Sequence, residues 1–230
     1  MVNPANRSNR VADNHNIGEF FEPITRYVKP LEYSAGQVSD AAQRRFIVTG
    51  APGAGKTTLL AKLAEKEGIA CVSEAATDVI VAEQQLGDPE PWTRGGSFRN
   101  KIVALQEERQ SNALESRARS VFFDRSPIDT MTFCLRFHAD PTQESVRDAV
   151  NDVIRRSFYD RKVFLIQNLG STETNSVRVE QQPEALLMEK LLAESYAALG
   201  FDVVLIPRFS LERDLSIALR RQAILHKTDS

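Results

Sequence analysis

Short apolar runs alternate along this chain with longer stretches in which apolar residues recur at helical spacing. The runs are rich in β-branched and aromatic residues and predict five buried strands, at 46–48, 69–72, 121–123, 163–166 and 203–206. The stretches between them predict helices at 57–66, 74–84, 98–116, 127–138, 143–158, 184–198 and 211–226. Strands separated by helices pair in parallel, so the pattern predicts an α/β fold with helices on both faces of one sheet.

The first 40 residues do not follow this pattern. We expect them to form an N-terminal tail or arm (1–40) that is partly disordered, followed by one main domain over 41–230. The large apolar residues of this segment form one cluster: Phe20, Phe21, Ile24, Tyr27, Val28 and Leu31. Two interpretations remain open, in which the cluster packs on the main domain or offers a surface to a second copy of the chain or another protein.

The most specific motif follows the first predicted strand and fits the pattern G-x-x-x-x-G-K-[ST]. It reads Gly50-Ala51-Pro52-Gly53-Ala54-Gly55-Lys56-Thr57-Thr58. Glycines let successive backbone N–H groups point at phosphate oxygens, and the helix that follows adds its positive N-terminal end. Lys56 is expected to reach the β- and γ-phosphates, and the Thr57 hydroxyl to bind Mg²⁺. The motif therefore predicts a phosphate-binding loop for a nucleoside triphosphate.

A second polar motif, Asp124-Arg125-Ser126-Pro127, follows the third predicted strand. Ligands of open α/β sheets bind at the carboxyl ends of the strands, so Asp124 is expected to face the phosphate-binding loop and to hold Mg²⁺ directly or through water. Arg125 would clamp the anionic part of a substrate or the transferred phosphoryl group. The structural alternative makes Asp124 an acid ahead of a helix that begins at Pro127, and Arg125 a surface charge.

Arg125 also bears on the type of reaction. Motor-type ATPases usually carry a glutamate after the strand-end acid, where it orients the attacking water. A cation in that place is of more use to an enzyme that passes phosphate to a bound acceptor. The motif therefore favours a kinase over a hydrolase.

Glu74 follows the second predicted strand. If the second and third strands flank the phosphate-binding loop, its carboxylate projects into the same crevice and can accept a proton from an attacking hydroxyl or hold a sugar hydroxyl. Asp78 would share its helix face. In the alternative, Ser73 is an N-cap and Glu74 is a first-turn acid favoured by the helix dipole.

The polar stretch 170–182 follows the fourth predicted strand and is expected to form a mobile lid over the phosphates. Its one cation, Arg178, is expected to stabilise the transferred charge. Arg155, Arg156 and Arg161 are the alternatives, and each also fits an ordinary surface charge.

Residues 87–96, which hold three glycines and two prolines, predict a loop. Trp92 lies within this loop and Phe98 follows it. These two aromatic residues would either wall an acceptor pocket or simply pack in the protein.

Five segments together resemble the AAA-type family of small P-loop proteins that includes the nicotinamide riboside kinase domain of bacterial NAD regulators. They are 50–58, 72–76, 122–126, 178–180 and 200–204. More distantly, Asp124-Arg125-Ser126 is similar to the acid-Arg-Ser motif of deoxynucleoside kinases and the Asp-Arg motif of thymidylate kinases. The resemblance implies a three-layer P-loop NTPase sandwich with a five-stranded parallel sheet of order 2-3-1-4-5. It also supports the roles suggested for Asp124, Arg125 and Glu74, and makes nicotinamide riboside one candidate acceptor among several.

Composition narrows the function classes further. Hydrophobic residues make up 42% and charged residues 26%, as in ordinary globular proteins. With 29 basic and 31 acidic residues the net charge is −2, so nucleic acid is not an expected partner. Cys71 and Cys134 cannot form a disulfide framework, and no apolar run has the length of a membrane span. We expect a cytoplasmic protein with no membrane partner.

These observations predict an ATP- and Mg²⁺-dependent kinase that transfers the γ-phosphate to a small molecule such as a nucleoside, a nucleotide or a related metabolite. Two alternatives stay open: a nucleotide-gated regulatory ATPase or switch that acts on a protein partner, and a nucleotide-binding scaffold without catalysis. The choice between ATP and GTP is also open, because the guanine-reading motif Asn-Lys-x-Asp is absent from the sequence and adenine is often bound by the backbone.

Overall fold

The structure is a computed structural model that describes residues 23–30, 43–137, 144–168, 182–207 and 213–228. Most of the expected arm (1–40) lies outside these ranges. So does Arg178, with nearly all of the expected lid.

Five strands form one parallel sheet in the order β2-β3-β1-β4-β5. Their bounds are Arg44–Thr49 (β1), Ile69–Val72 (β2), Ser120–Asp124 (β3), Lys162–Ile166 (β4) and Asp202–Ile206 (β5). All five predicted strands are confirmed, and so is the order that the family resemblance implied. The register pairs Val48 of β1 with Asp124 of β3, which brings the ends of these two strands to one edge of the sheet.

Seven α-helices lie within the described residues. Their bounds are Lys56–Ala64 (α1), Ala75–Gln85 (α2), Gly96–Leu114 (α3), Pro127–Arg136 (α4), Glu144–Arg155 (α5), Gln182–Ala198 (α6) and Arg213–Thr228 (α7). Each predicted helix is present, with ends that differ by a few residues. The predicted loop at 87–96 contains a 3-10 turn, Pro91–Arg94, because proline at its first position presets a helical φ.

Alternating strand residues build two separate cores, one on each face of the sheet. On one face Phe46, Phe122 and Phe164 lie side by side across β1, β3 and β4, with ring centroids 5.2 to 6.1 Å apart, and pack against α1 and α7. On the other face, Ile47 and Phe123 belong to the core that includes residues of α4, α5 and α6. Two helical layers therefore enclose the sheet, which is the predicted sandwich.

Part of the expected arm belongs to the second core. Ile24 and Val28 are 1% and 3% exposed, and their segment contacts α4 and α6. Within residues 23–30, the apolar cluster therefore packs on the main domain. Among the described residues no helix is long and apolar enough to cross a bilayer.

Candidate functional site

The loop between β1 and α1 curls at the carboxyl edge of the sheet, and its glycines are needed for this path. Gly50 has φ 143°, and a Cβ there would lie 2.5 Å from the Ile166 carbonyl oxygen of the neighbouring strand. Gly55, at the N-cap of α1, has φ 85°. Both are left-handed conformations that only glycine adopts without strain. The N-terminus of α1 then points its N–H groups toward the space above the loop.

Lys56 opens α1 and is buried, with 6% exposure. Its Nζ donates hydrogen bonds of 3.1 Å to the carbonyl oxygens of Gly50 and Ala51. Burial, and next the charge of Arg125, lower the pKa of Lys56 to about 8. Asp124 and Glu74 oppose this effect. The ammonium group is thus held inside the curl of the loop.

Asp124 ends β3, and its Oδ2 accepts a 3.3 Å hydrogen bond from the Thr57 hydroxyl. Its Oδ1 is buried and has no hydrogen-bond partner among the described residues. Burial raises the pKa of Asp124 to about 6, although the charge of Lys56 acts to lower it. A carboxylate with an unsatisfied oxygen beside a hydroxyl is a donor set that suits Mg²⁺, a hard cation that takes oxygen ligands.

Asp124 lies behind the surface of the main cleft rather than on it. It lines a small cavity of about 10 Å³ together with Ser73, Gln106 and Arg125. A space of that size holds about one water molecule. The link from Asp124 to the phosphate-binding loop is its hydrogen bond with Thr57, which does line the cleft.

Arg125 follows β3 and forms an ion pair with Glu74, from the start of α2. Its Nε donates to Glu74 Oε1 over 2.7 Å, and its Nη1 donates to Asp129 Oδ1 over 3.2 Å. The guanidinium also lies 5.1 Å from the ring centroid of Phe133. Burial acts to lower the pKa of Arg125, but the carboxylates of Asp129 and Glu74 outweigh it and raise that pKa above its ordinary value. Arg125 is therefore a buried cation between two acids, not a surface charge.

Glu74 occupies the N-cap position of α2 without a capping hydrogen bond from its side chain. Its carboxylate instead accepts from Arg125 and, over 3.1 Å, from the Thr77 hydroxyl. Asp78, predicted to share its helix face, pairs with Arg109 and does not line the cleft. Glu74 and Asp78 are thus one helical turn apart, but only Glu74 lies in the cleft, and Asp78 belongs to an ion pair outside it.

Asp129 is a site residue that the sequence analysis missed. It is 1% exposed, and besides Arg125 its carboxylate accepts from Thr49, from the Ser126 backbone N–H and hydroxyl, and from the Tyr196 hydroxyl. Ser126 and Asp129 form the capping box of α4. The spacing of a serine and an acid three residues later, with proline between them, is a sequence signal that could have identified Asp129 as a helix-start residue.

One cleft of about 970 Å³ joins these groups, except Asp124, which lies behind its surface. We call its first part the phosphate-loop end, which is lined by Pro52, Gly53, Gly55, Lys56, Thr57 and Thr58. We call its far part the apolar end, which is lined by Ala76, Ile80, Trp92, Phe98, Ile102, Phe133, Cys134 and Phe137. Glu74, Arg125 and Asp129 lie in the same lining. Trp92 and Phe98 both line the cleft, and Phe98 also packs against a small core of α2 and α3 residues.

Other cations separate into those near the cleft and those away from it. Arg99 of α3 lines the cleft, although the sequence analysis did not select it. Arg155 and Arg156 pair with Asp152, and Arg161 pairs with Asp202 over 3.1 Å. None of these last three arginines lines the cleft, so they do not replace Arg178, which lies outside the described residues.

Arg220 of α7, another residue that the sequence analysis missed, supports the phosphate-binding loop by a hydrogen bond to its backbone. It is 2% exposed and donates to the carbonyl oxygens of Ala54 (3.0 Å), Gln167 (2.8 Å) and Pro207 (3.1 Å). Burial lowers the pKa of Arg220. One side chain thus ties the loop to the segments that follow β4 and β5.

Comparison with known proteins agrees with this architecture. The model of a family described as an AAA domain matches residues 45–213. No curated protein matches the sequence significantly. Among solved structures, the NadR protein in complex with NR is similar with a TM-score of 0.58 and 16% identity over 82% of this chain. This chain spans about half of that protein, 51% of its length.

Two further solved structures are similar over nearly their whole length. Thymidylate kinase from Ehrlichia chaffeensis matches with a TM-score of 0.55 and 15% identity, over 81% of this chain and 99% of that one. Deoxyadenosine kinase from M. mycoides, with products dCMP and dCDP bound, matches with a TM-score of 0.51 and 16% identity, over 80% and 98%. At these identities the likeness establishes a shared fold, and it bears out the resemblance read from the sequence.

Proposed function

The chain belongs to the AAA-domain family, and we propose that it is an ATP- and Mg²⁺-dependent phosphotransferase that passes the γ-phosphate to a small acceptor. The acceptor would be a nucleoside, a nucleotide or a related metabolite. The observation that carries the proposal is the Glu74–Arg125 pair, which lies in the same cleft as Lys56 and Thr57. A hydrolase needs room only for a water molecule beside the transferred phosphate. This cleft instead continues into an apolar end of a size that suits an organic molecule.

At the phosphate-loop end, the backbone N–H groups of residues 50–58 and the Lys56 ammonium would hold the β- and γ-phosphates. The Thr57 hydroxyl and the Asp124 carboxylate would hold Mg²⁺, which supplies positive charge to the phosphate oxygens when bound. Phosphoryl transfer depends mainly on positioning and on electrostatic stabilisation of the transferred group. The arrangement of these groups supports that role.

Arg125 would neutralise charge on the transferred phosphoryl group. Only two of its five guanidinium N–H groups have protein partners among the described residues, so the others can donate to phosphate oxygens. Arg178, outside the described residues, remains our proposal for a second cation there.

Glu74 would orient the acceptor hydroxyl or take its proton. Its position between Arg125 and the apolar end supports this role, since an acceptor bound against the aromatic side chains would present a polar group to the carboxylate. Trp92 and Phe98 add aromatic surface to this end of the cleft, on which a flat ring could stack.

The test is ATP consumption with Mg²⁺, followed by phosphorus NMR, in the absence of acceptor and with a panel of nucleosides, nucleotides, sugars and amino-alcohols. We expect a new phosphorylated product with one class of acceptor, which would also identify that class. Slow release of free phosphate that no acceptor changes would contradict the proposal and favour the nucleotide-gated switch. Unaltered ATP would favour a scaffold.

A further inference from the structure

We propose that Asp129 and Tyr196 are positioning residues that set the location of the Arg125 guanidinium and, through it, the rate of phosphate transfer. This inference rests on the proposed function. It adds Tyr196 of α6, which is distant in sequence from the phosphate-binding loop, Glu74 and Arg125, to the groups that determine the rate.

Arg125 requires external support because its backbone is in an unfavourable conformation. Its φ is 72°, in the left-handed region that a non-glycine residue seldom adopts. Its backbone N–H is fixed by a 3.0 Å hydrogen bond to the Val48 carbonyl of β1. The side chain then has two anchors, Glu74 on one side and Asp129 on the other. Glu74 is the anchor that would also engage an acceptor, so Asp129 is the anchor that stays in place.

Asp129 suits that task because donors from three elements fix its carboxylate. Thr49 at the end of β1 donates to Oδ1 over 2.5 Å, and the Ser126 N–H at the start of α4 donates to Oδ2 over 2.9 Å. The Tyr196 hydroxyl of α6 donates to the same Oδ2. A carboxylate held on both oxygens cannot rotate, and so fixes the Arg125 nitrogen that it accepts from.

Tyr196 is the least replaceable part of this support. Its ring is completely buried and packs edge-on against Phe201, with 5.6 Å between the ring centroids. Its hydroxyl also lies 2.7 Å from the Ser126 hydroxyl, so it joins both members of the α4 capping box. Loss of this one oxygen leaves Oδ2 with donors from Ser126 only, and the carboxylate gains freedom to turn.

The experiment compares Tyr196→Phe with Tyr159→Phe in the full chain. Both residues are buried tyrosines of the same core, and the Tyr159 hydroxyl accepts a 3.0 Å hydrogen bond from Gln110. We expect Tyr196→Phe to lower kcat about 10-fold, within the range measured for residues that orient active groups, with KM for ATP changed less than about 2-fold. Tyr159→Phe should lose similar thermal stability and keep kcat within about 2-fold.

Asp129→Asn, which removes the charge but keeps the shape, should lower kcat about 100-fold while ATP binding, measured by calorimetry, is retained. If this variant does not fold, Thr49→Val removes one donor to the same carboxylate and should lower kcat by a smaller factor. Equal kcat for the two tyrosine variants, with active wild-type protein, would overturn the positioning role and leave the proposed function intact. Wild-type protein that transfers phosphate to no acceptor would overturn both.

Discussion

The two ends of the cleft are built in different ways. The phosphate-loop end comes from one continuous stretch of chain, in which backbone groups and the Lys56 ammonium face the ligand space. The apolar end is assembled from side chains of α2, the 3-10 turn, α3 and α4. A binding site made of backbone groups depends on the few residues that allow the loop its conformation. A binding site made of side chains depends on every residue that lines it.

This difference suggests how function is divided in the molecule. The phosphate-loop end can bind the same nucleotide tail in many proteins of similar fold, because peptide N–H groups are present whatever the side chains are. If the apolar end binds the acceptor, as we propose, replacing Trp92 or Phe98 should change the choice of acceptor without disturbing the loop. The Glu74–Arg125 pair lies at the border of the two parts. Variants on each side should therefore separate nucleotide binding, chemistry and acceptor binding.

The largest effect should come from the phosphate-loop end. Among the described residues, Lys56 is the one lysine of the cleft lining. Lys56→Ala should lower kcat by about 10³-fold or more, because the lysine charge would act on the transferred phosphate. The free energy of unfolding should not fall, because burial lowers the pKa of Lys56 to about 8 and its charged form therefore already opposes folding at pH 7. Product formation and thermal unfolding measure the two effects. Lys62→Ala, an exposed lysine of the same helix, is the control, and equal activity of both variants would contradict the site.

The second-largest loss of kcat should come from Glu74, at the border between the two ends of the cleft. Glu74→Gln keeps the size of the side chain but removes its charge, and should lower kcat by about 10²-fold with little change in KM for ATP. Steady-state kinetics with the acceptor that the phosphorus NMR panel identifies would measure this. Asp78→Asn changes an acid of the same helix that pairs with Arg109 outside the cleft, and should leave kcat unchanged. A kcat loss shared by both variants would show that the charge of α2, rather than Glu74, matters.

Asp124→Asn should affect metal use and stability in opposite directions. The Mg²⁺ concentration for half-maximal rate should rise by about 10- to 100-fold. Because burial raises the pKa of Asp124 to about 6 from an ordinary value near 4, the unfolded chain loses this proton at a lower pH than the folded protein, and the wild type loses stability as the pH rises from about 4 to about 6. At pH 7 without Mg²⁺, the variant should therefore have a free energy of unfolding about 3 kcal/mol higher than the wild type. The wild type should lose most of this amount between about pH 4 and pH 7, and the variant should not. Chemical denaturation at about pH 4 and pH 7 would measure both, and a parallel pH dependence would refute the explanation.

The smallest effect should come from the apolar end. Trp92 is half exposed, so Trp92→Ala should leave stability nearly unchanged. It should raise KM for the acceptor about 10-fold, as expected for the loss of one stacking face, without changing KM for ATP. Leu86→Ala, at a highly exposed leucine outside the cleft lining, is the control. An equal rise in KM for ATP would contradict the division of the cleft into two ends.

The sequence by itself determined the strands, the helices and the phosphate-binding loop. These features are local, since burial on both faces requires apolar runs such as 163–166, and the left-handed conformations of the loop require glycine at positions 50 and 55. The sequence also indicated Glu74 and Arg125, because polar residues at strand ends meet at one edge of a parallel sheet. It could not pair them, since they lie 51 residues apart.

Only the tertiary structure decided which charges face the cleft and which face each other. Asp78 forms an ion pair with Arg109. Asp129 and Tyr196, which are 67 residues apart, are hydrogen-bonded to each other, and Asp129 also binds Arg125 in the same buried network. Arg220 reached the loop from α7, across 166 residues of chain. A buried polar group needs a hydrogen-bond partner within about 3 Å, and the packing of the helices and strands decides which residue that is. The residues next to it in the sequence do not indicate which remote residue packing will bring this close.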